Sequence, residues 1–490
     1  MDPETFFRSP TIAAMAEGKA KEVTPSWTEP VGPAPLTPVQ RWFFRTVKDD
    51  RAHWNQDHVL VFEPGVLPTA DVTRVMTTLV RHHDALRTRF VFDSHAKPLH
   101  QEIVGTNQAW VRIFTASSSQ ESDLRETLER GLVEAHGSMD LRRPELFRTV
   151  VVDYEGHVRL LALISHHLIV DAVSWGLLIE DLATLVDDTS SDPDGSLPPK
   201  TKPWAAWARD LAQRAEELDG PSLVHATDPG PPGPSPCALR GMGVGRVGDA
   251  VRHTVRFEKE DLAALDGARV RLEASMEELL LTGFLEAWHD WCGERTLLMD
   301  LEGHGRARDG RLSGVHRTVG WFTTVTPFRG RLGASPRDTL RAVQRAVPRA
   351  RGSGLDQSLV RYLSRDPVMR AEMDRRLATD VVFNYLGTAA SFPTHLPFSV
   401  QPGMTDFARS PRAQRGYALE VNALVQGGGL DVVIEGGPGS EEELVRLGHA
   451  LRESLLGLSM VDPVPFDLDG FGDGDYETLS RLLGRLALQS

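Results

Sequence analysis

The chain has 490 residues, 41% apolar and 25% charged, and its 54 basic and 68 acidic side chains give a formal net charge of −14. That length is too great for one small core, so two or three lobes are expected, and the composition excludes a collagen, a coiled coil and a wholly disordered chain. The acidic balance argues against a broad nucleic-acid surface, and no apolar run of about 18 residues exists to span a membrane.

The opening MDPETFFRSP lacks the basic and apolar regions of a secretory signal. The only cysteines are Cys237 and Cys292, which rules out a disulfide framework and makes a reducing cytoplasm the expected compartment. Residues 1–35 read as a lead-in, with helical apolar spacing in Phe6–Ala16 and a break at Pro33–Pro35. From Leu36 to about Val186, helical and strand patterns alternate. Ala70–Arg87 and Ser122–Ala135 have amphipathic helical spacing. Arg148–Asp153 and Arg159–Ile164 are β-rich runs around the turn signal Tyr154–His157. Asp171–Val186 returns to helical spacing, with Asp171 placed near its start.

Two breaks follow. Asp187–Pro199 is acidic and turn-rich, and Asp219–Pro236 carries Pro and Gly at linker density. Between them the spacing predicts a connecting helix over Trp204–Leu218. A second lobe is expected from about Val251. Its strands are expected at Val251–Phe257, Leu297–Leu301, Val381–Tyr385, Leu419–Leu424 and Leu430–Glu435. Its helices are expected at Lys259–Arg269, Met276–Trp291 and Ser440–Leu458. Gly243–Gly248 matches GxGxxG but follows a Pro-rich stretch and precedes a strand, so the dinucleotide context is missing.

The strongest constellation is Ser165-His166-His167-Leu-Ile-Val-Asp171-Ala-Val-Ser174-Trp175. An apolar strand runs into two histidines, and a helix begins just after a carboxylate. That puts a titratable imidazole on a rigid strand end, beside a group able to fix a turn or a tautomer. An isolated HH pair is more often packing; the whole spacing is far rarer. His82-His83-Asp84 is the internal control. Helical spacing would splay its rings, Asp84 and Arg87 are expected to pair at the surface or between elements, and a structural role is expected.

Glu302-Gly303-His304-Gly305-Arg306 follows the strand Leu297–Leu301. Two glycines around a His make a tight backbone at a strand end, and Glu302 becomes an acid/base candidate if burial raises its pKa. Alone, a polar turn is the simpler reading. Asn384 and Tyr385 carry polar groups at the end of a buried strand, with structural and functional roles equally open. Trp321 and Phe322, within His316–Pro327, are expected in the core. No Walker loop, CxxC pair, HExxH or GxSxG is present, so metal and serine-hydrolase chemistry have no support.

Jointly these motifs resemble the epimerization domains of nonribosomal peptide synthetases, within the condensation-domain superfamily. The likeness runs from about Leu36 to the C-terminus. Leu36–Phe44 resembles the family's opening motif, His166–Trp175 its active-site motif, and Glu302–Arg306 the EGHGR motif that separates epimerization from condensation domains. Arg317–Pro327 and Phe383–Gly387 resemble the RTVGWFT and FNYLG blocks. Phe6–Ala16 resembles the last helix of a carrier domain, so an excised piece of a larger synthetase is expected.

The resemblance implies an α/β, chloramphenicol-acetyltransferase-like pseudo-dimer of two lobes in a V, with a tunnel between. The expected divisions are a carrier remnant and linker at 1–35, a first lobe with connecting helix at 36–218, a Pro/Gly-rich linker at 219–250 and a second lobe at 251–490. The implied substrate is an aminoacyl or peptidyl thioester on a carrier's phosphopantetheine arm. His167 and Glu302 are the implied acid/base pair. His166, Asp171, Ser174 and Arg306 would support the motifs, and Asn384, Tyr385 and Trp321 would line the pocket. No directly bound cofactor or metal is implied. The implied partners are an upstream peptidyl carrier domain and neighbouring modules. Ala172 stands where the family has Gly, and Pro348–Asp356 lacks the family's Tyr. The alternatives are a condensation domain, which shares HHxxxD but lacks EGHGR, and an inactive carrier-docking platform.

Overall fold

A reciprocal cap starts the first helix: Thr37 Oγ1 accepts from the Gln40 N–H at 3.4 Å, and Gln40 Oε1 accepts from the Thr37 N–H at 3.0 Å. Pro38 supplies the fixed φ of its first turn. In the computed structural model, residues 31–461 are described apart from 109–110, 119, 189–194, 219, 223–238, 240–242, 307–311, 389–395 and 403–407. The expected helix at Phe6–Ala16 and most of the Pro/Gly-rich stretch at 219–236 lie outside the described residues.

The first half runs β1 (Gly32–Ala34), α1 (Pro38–Thr46), β2 (Asn55–Phe62), α2 (Val72–His82), β3 (Thr88–Phe92) and β4 (Pro98–Ile103). It continues with β5 (Arg112–Ser117), α3 (Leu124–Gly137), β6 (Phe147–Tyr154), β7 (His157–His166), α4 (Ala172–Asp187) and α5 (Trp204–Glu217). The second half begins with β8 (Val251–Phe257), α6 (Lys259–Arg271), α7 (Met276–Cys292), β9 (Thr296–Gly303) and β10 (Thr324–Arg331). Then come α8 (Pro336–Leu363), α9 (Pro367–Leu377), β11 (Val381–Thr388), β12 (Phe398–Pro402), β13 (Leu419–Gln426), β14 (Gly429–Gly436) and α10 (Glu441–Ser459).

Most expected elements lie within a few residues of their observed bounds. The β6–β7 hairpin turns through Glu155 (φ 55°) and Gly156 (φ 80°), two successive left-handed residues that suit the twist of paired strands. The expected helix over Ala70–Arg87 is a correction. α2 stops at His82, His83 is extended (φ −96°, ψ 105°), and Asp84–Arg87 is a 3₁₀ turn. Of the two placements expected for Asp84 and Arg87, the one between elements is observed, and both are buried: Asp84 accepts the Trp204 N–H at 3.0 Å, and Arg87 donates to the Val104 carbonyl. His83 meets Asp181 at 3.0 Å, and its ring lies 4.9 Å from that of His82 rather than splayed away from it.

Strand pairing gives a five-stranded sheet, β12-β2-β7-β6-β5, and a six-stranded sheet, β10-β9-β11-β13-β14-β8, beside a small sheet β1-β4-β3. One apolar cluster packs α1, α2, α4 and α5 on the first sheet, and α3 covers that sheet's other face. A second cluster packs α7 and α10 on the six-stranded sheet.

The two halves exchange pieces. β12 comes from the second half of the chain but pairs antiparallel with β2, from Phe398↔Phe62 to Pro402↔His58. Leu312, Val315, Val319, Trp321 and Phe322, which precede β10, belong to the apolar cluster of the first half. Gly320 is required there, because a Cβ would meet the buried Trp204 indole at 2.3 Å. Gly320→Ala is therefore expected to lower unfolding free energy by about 1–3 kcal/mol, the range for overpacking a tight contact. A urea midpoint equal to that of the native chain would show that the loop lifts off at no cost.

Candidate active site

β7 is buried along most of its length, so its end is a fixed platform. His166 is fully buried there. Its Nε2–H donates to the Arg51 carbonyl at 2.7 Å, and its Nδ1 accepts the Leu168 N–H at 3.1 Å. Both nitrogens are used and burial pushes its pKa down to about 3, so His166 is a neutral structural group. His167 begins the next turn. Its Nδ1 lies 2.9 Å from the Val170 carbonyl, which only accepts, so Nδ1 carries the proton and Nε2 is the unprotonated, basic nitrogen. Burial also lowers the proton affinity of His167.

Asp171 caps α4. Its Oδ1 accepts from the Ser174 N–H and Oγ–H, each at 2.7 Å, and its Oδ2 accepts the Phe322 N–H at 3.1 Å. Arg306, just past β9, reaches Asp171 Oδ1 at 3.1 Å and Ser174 Oγ at 3.1 Å. Its other terminal nitrogen donates to the Val315 and Thr318 carbonyls at 2.8 and 2.7 Å, and its guanidinium lies 4.0 Å from the Phe322 ring centroid. Ser174 also bonds both polar atoms of Gly320. One buried knot thus ties the HHxxxD turn to the EGHGR turn and to the loop before β10.

Along β9, Leu297, Met299 and Leu301 enter the helix-covered core, so Asp300 and Glu302 take the opposite face. On β11, Val382 pairs with Asp300, which sets Asn384 beside Glu302. Asn384 Nδ2 donates to Glu302 Oε2 at 3.1 Å. Burial lifts the Glu302 pKa to about 7, with Glu420 and Asp300 adding to the rise and Arg409 opposing it. Trp321 lies with its ring centroid 4.4 Å from that of His167.

Tyr385 does not join them. Successive strand residues alternate faces, and its ring packs with the helix-side core, near Asp266, Arg269 and Glu277. The expected pairing of Asn384 with Tyr385 in one pocket is therefore corrected to Asn384 alone. Ala172 is exposed at the start of α4, so its methyl crowds nothing in the core. Pro348–Asp356 forms the middle of α8, where Gly354 passes close to Thr326 of β10.

The condensation domain family model matches residues 32–219 and 246–436. The chain belongs to the condensation-domain family. This condensation-family chain is 30% identical over 438 residues to chondramide synthase of Chondromyces crocatus, covering 87% of the chain and 11% of that protein. Against tyrocidine synthase 1 of Brevibacillus parabrevis it is 27% identical over 448 residues, covering 87% of the chain and 40% of that protein. The chain thus spans less than half the length of these relatives. Among solved structures, the epimerization domain from the third module of tyrocidine synthetase B gives a TM-score of 0.72 at 22% identity, over 88% of this chain and 98% of that one. The first condensation domain of the calcium-dependent antibiotic synthetase gives 0.62 at 18% identity, over 88% and 97%. Likeness at this identity is one of fold. It is the two-lobed, chloramphenicol-acetyltransferase-like α/β architecture that the motifs implied.

Sequence reasoning missed two neighbours of this condensation-family site. Gln56, on β2, lies 3.1 Å from His167 Nε2. Arg409 stacks 4.5 Å from the Trp54 ring centroid and lowers the proton affinity of both His167 and Glu302. Neither belongs to a motif that the sequence singles out; only pairing across the chain brings them in.

Two outcomes are expected. Arg306→Ala leaves Asp171 buried without its cation and is expected to cost about 3–5 kcal/mol of stability, with a smaller added cost in the Asp171→Ala/Arg306→Ala pair. Chemical denaturation of the three variants checks this. The Glu302 carboxyl, raised from 4.5 to about 7, contributes stability that is complete below pH 4.5 and lost as pH rises through about 7. Glu302→Gln is expected to unfold at a higher temperature than the native chain at pH 8, with the difference shrinking towards pH 5.

Proposed function

We propose that the chain is an epimerization domain, acting on an aminoacyl or peptidyl thioester carried on the phosphopantetheine arm of a carrier domain. The observation that carries this reading is the buried Asp171–Arg306 contact, which ties the turn that begins at His167 to the turn that follows Glu302. His167 offers a lone pair at Nε2, and Glu302 holds a carboxyl whose pKa burial raises to about 7. Epimerization removes the Cα proton and returns one to the opposite face; one base or two could do this, and two groups on opposite faces is the simpler geometry. The thioester carbonyl takes up the electron pair as an enolate, which it stabilises better than an amide would. The EGHGR motif and the fold likeness to an epimerization domain support the same reading.

In this reading His167 and Glu302 are catalytic, and Asn384 holds the Glu302 carboxyl. His166, Asp171, Ser174 and Arg306 fix the two turns. Trp321 lines the pocket and packs on the imidazole. The lobes correspond to 36–218 and 251–490, joined through 219–250, with β12 lent by the second to the first. The partners are an upstream peptidyl carrier domain and neighbouring synthetase modules. The substrate arrives covalently tethered, so no separately bound cofactor is called for.

The test is exchange at Cα. An L-aminoacyl or peptidyl thioester is loaded on a carrier, the chain is added in D₂O, and deuterium and configuration are followed. Deuterium uptake with a D/L mixture is expected, and His167→Ala and Glu302→Gln are each expected to slow it by at least about 100-fold. Dipeptide formation with a second loaded carrier, and no exchange, would make the chain a condensation catalyst instead.

A further inference from the structure

Gln56 bonds on both sides. Its Oε1 lies 2.8 Å from the Trp175 indole Nε1, which can only donate. The carbonyl end of the amide is therefore fixed on Trp175, and the NH₂ end faces His167 Nε2 at 3.1 Å. On its far side His167 gives its Nδ1–H to Val170. The ring is thus held between an acceptor at Nδ1 and a donor at Nε2, an arrangement only the neutral imidazole satisfies. In the imidazolium both nitrogens carry hydrogens, and Nε2–H would face the amide hydrogens of Gln56. The amide cannot turn to relieve this without abandoning the Trp175 N–H.

The geometry points to Trp175 and Gln56 as a positioning pair that holds His167 as a neutral Nε2 base, so that in the resting enzyme His167 removes the Cα proton and Glu302 returns one. This rests on the epimerase reading for its substrate, and on hydrogen bonds alone for the state of the ring. The electron count closes. The Gln56 N–H···Nε2 hydrogen bond gives way to the substrate, the Cα–H bond breaks as Nε2–H forms, and its pair moves through the new C=C bond to the carbonyl oxygen. The Glu302 O–H bond then breaks, Cα–H forms on the opposite face, and the carbonyl is restored. The product state holds a His167 imidazolium and a Glu302 carboxylate, and exchange with solvent returns both. The Gln56 N–H hastens that return because it opposes the imidazolium.

Other charged groups face the ring. Arg409, from the segment paired with Trp54, disfavours the imidazolium, while Asp171, at the start of α4, favours it. The adjacent His166 is neutral. Against this balance the Gln56 amide is the neighbour whose contact turns unfavourable when Nε2 is protonated, whereas the Val170 carbonyl keeps its Nδ1–H bond in both states.

Gln56→Glu turns the donor into a carboxylate acceptor, and Trp175→Phe frees the amide to rotate. Both are expected to move the acid limb of kcat/KM for Cα exchange to higher pH, Gln56→Glu by at least about one unit, the size expected for one new charge contact. The same variants are read without turnover. In ¹⁵N-histidine-labelled full chain at pH 7, with His167→Ala identifying the signal, native His167 is expected to be protonated at Nδ1 only and Gln56→Glu to be protonated at both nitrogens. A native ring protonated at Nε2, or an acid limb and spectrum unmoved in both variants, would overturn the proposal. Should Gln56→Glu not fold, Trp175→Phe carries the test. A native chain with the expected spectrum and no Cα exchange would sink the epimerase reading while leaving the positioning pair standing.

Discussion

A single buried ion pair, Asp171 with Arg306, sets the geometry on which the site depends. Asp171 follows His167 closely in one half, and Arg306 follows Glu302 closely in the other. The carboxylate takes two backbone N–H groups, a hydroxyl and the guanidinium, while the guanidinium also donates to two carbonyls and lies over an aromatic ring, with only its buried Nε–H left without a hydrogen-bond partner. Buried pairs of this kind give little net stability over an apolar substitute. Their effect is specification, because a misplaced half would leave a charge buried and unpaired. Here the specified quantity is the position of two turns, and the candidate acid/base groups ride on those turns.

Around that knot the chain uses exchange rather than a flat interface. β12 extends the first sheet, and the loop before β10 enters the first core with Trp321 and Phe322. The same loop feeds β10, whose Val325 pairs with Glu302, and it also sets Trp321 against His167. A shift of the loop would therefore disturb both candidate groups together. The close approach of Gly320 to Trp204 and its two bonds to Ser174 leave it little room.

The two titratable groups are tuned by one cause acting in opposite senses. Burial disfavours charge, so it lowers the proton affinity of the imidazole and raises that of the carboxyl. Below about pH 7 the two groups therefore favour a neutral base and a neutral acid. Arg409 works against burial at Glu302 and with it at His167, which keeps the carboxyl within reach of neutrality.

Much of this was legible in the sequence. Long apolar periodicities gave α4, α7, α10 and β8 to within a residue or two, and the HHxxxD and EGHGR spacings marked both halves of the site, because local capping and turn chemistry act within a few residues. The alternation of faces along β11 was equally available, and it places Tyr385 away from Asn384. β2 escaped notice, since Asn55-Gln-Asp-His58 has little strand propensity and takes its place by pairing with β7 and, at His58, with β12. With it escaped Gln56, whose meaning comes from a tryptophan and a histidine more than a hundred residues away. The sequence by itself determined which residues could carry protons, because that is side-chain chemistry. The tertiary structure alone decided which nitrogen of His167 is unprotonated and why Glu302 holds its proton more tightly than a free carboxyl, because tautomer and burial are set by neighbours that only folding supplies.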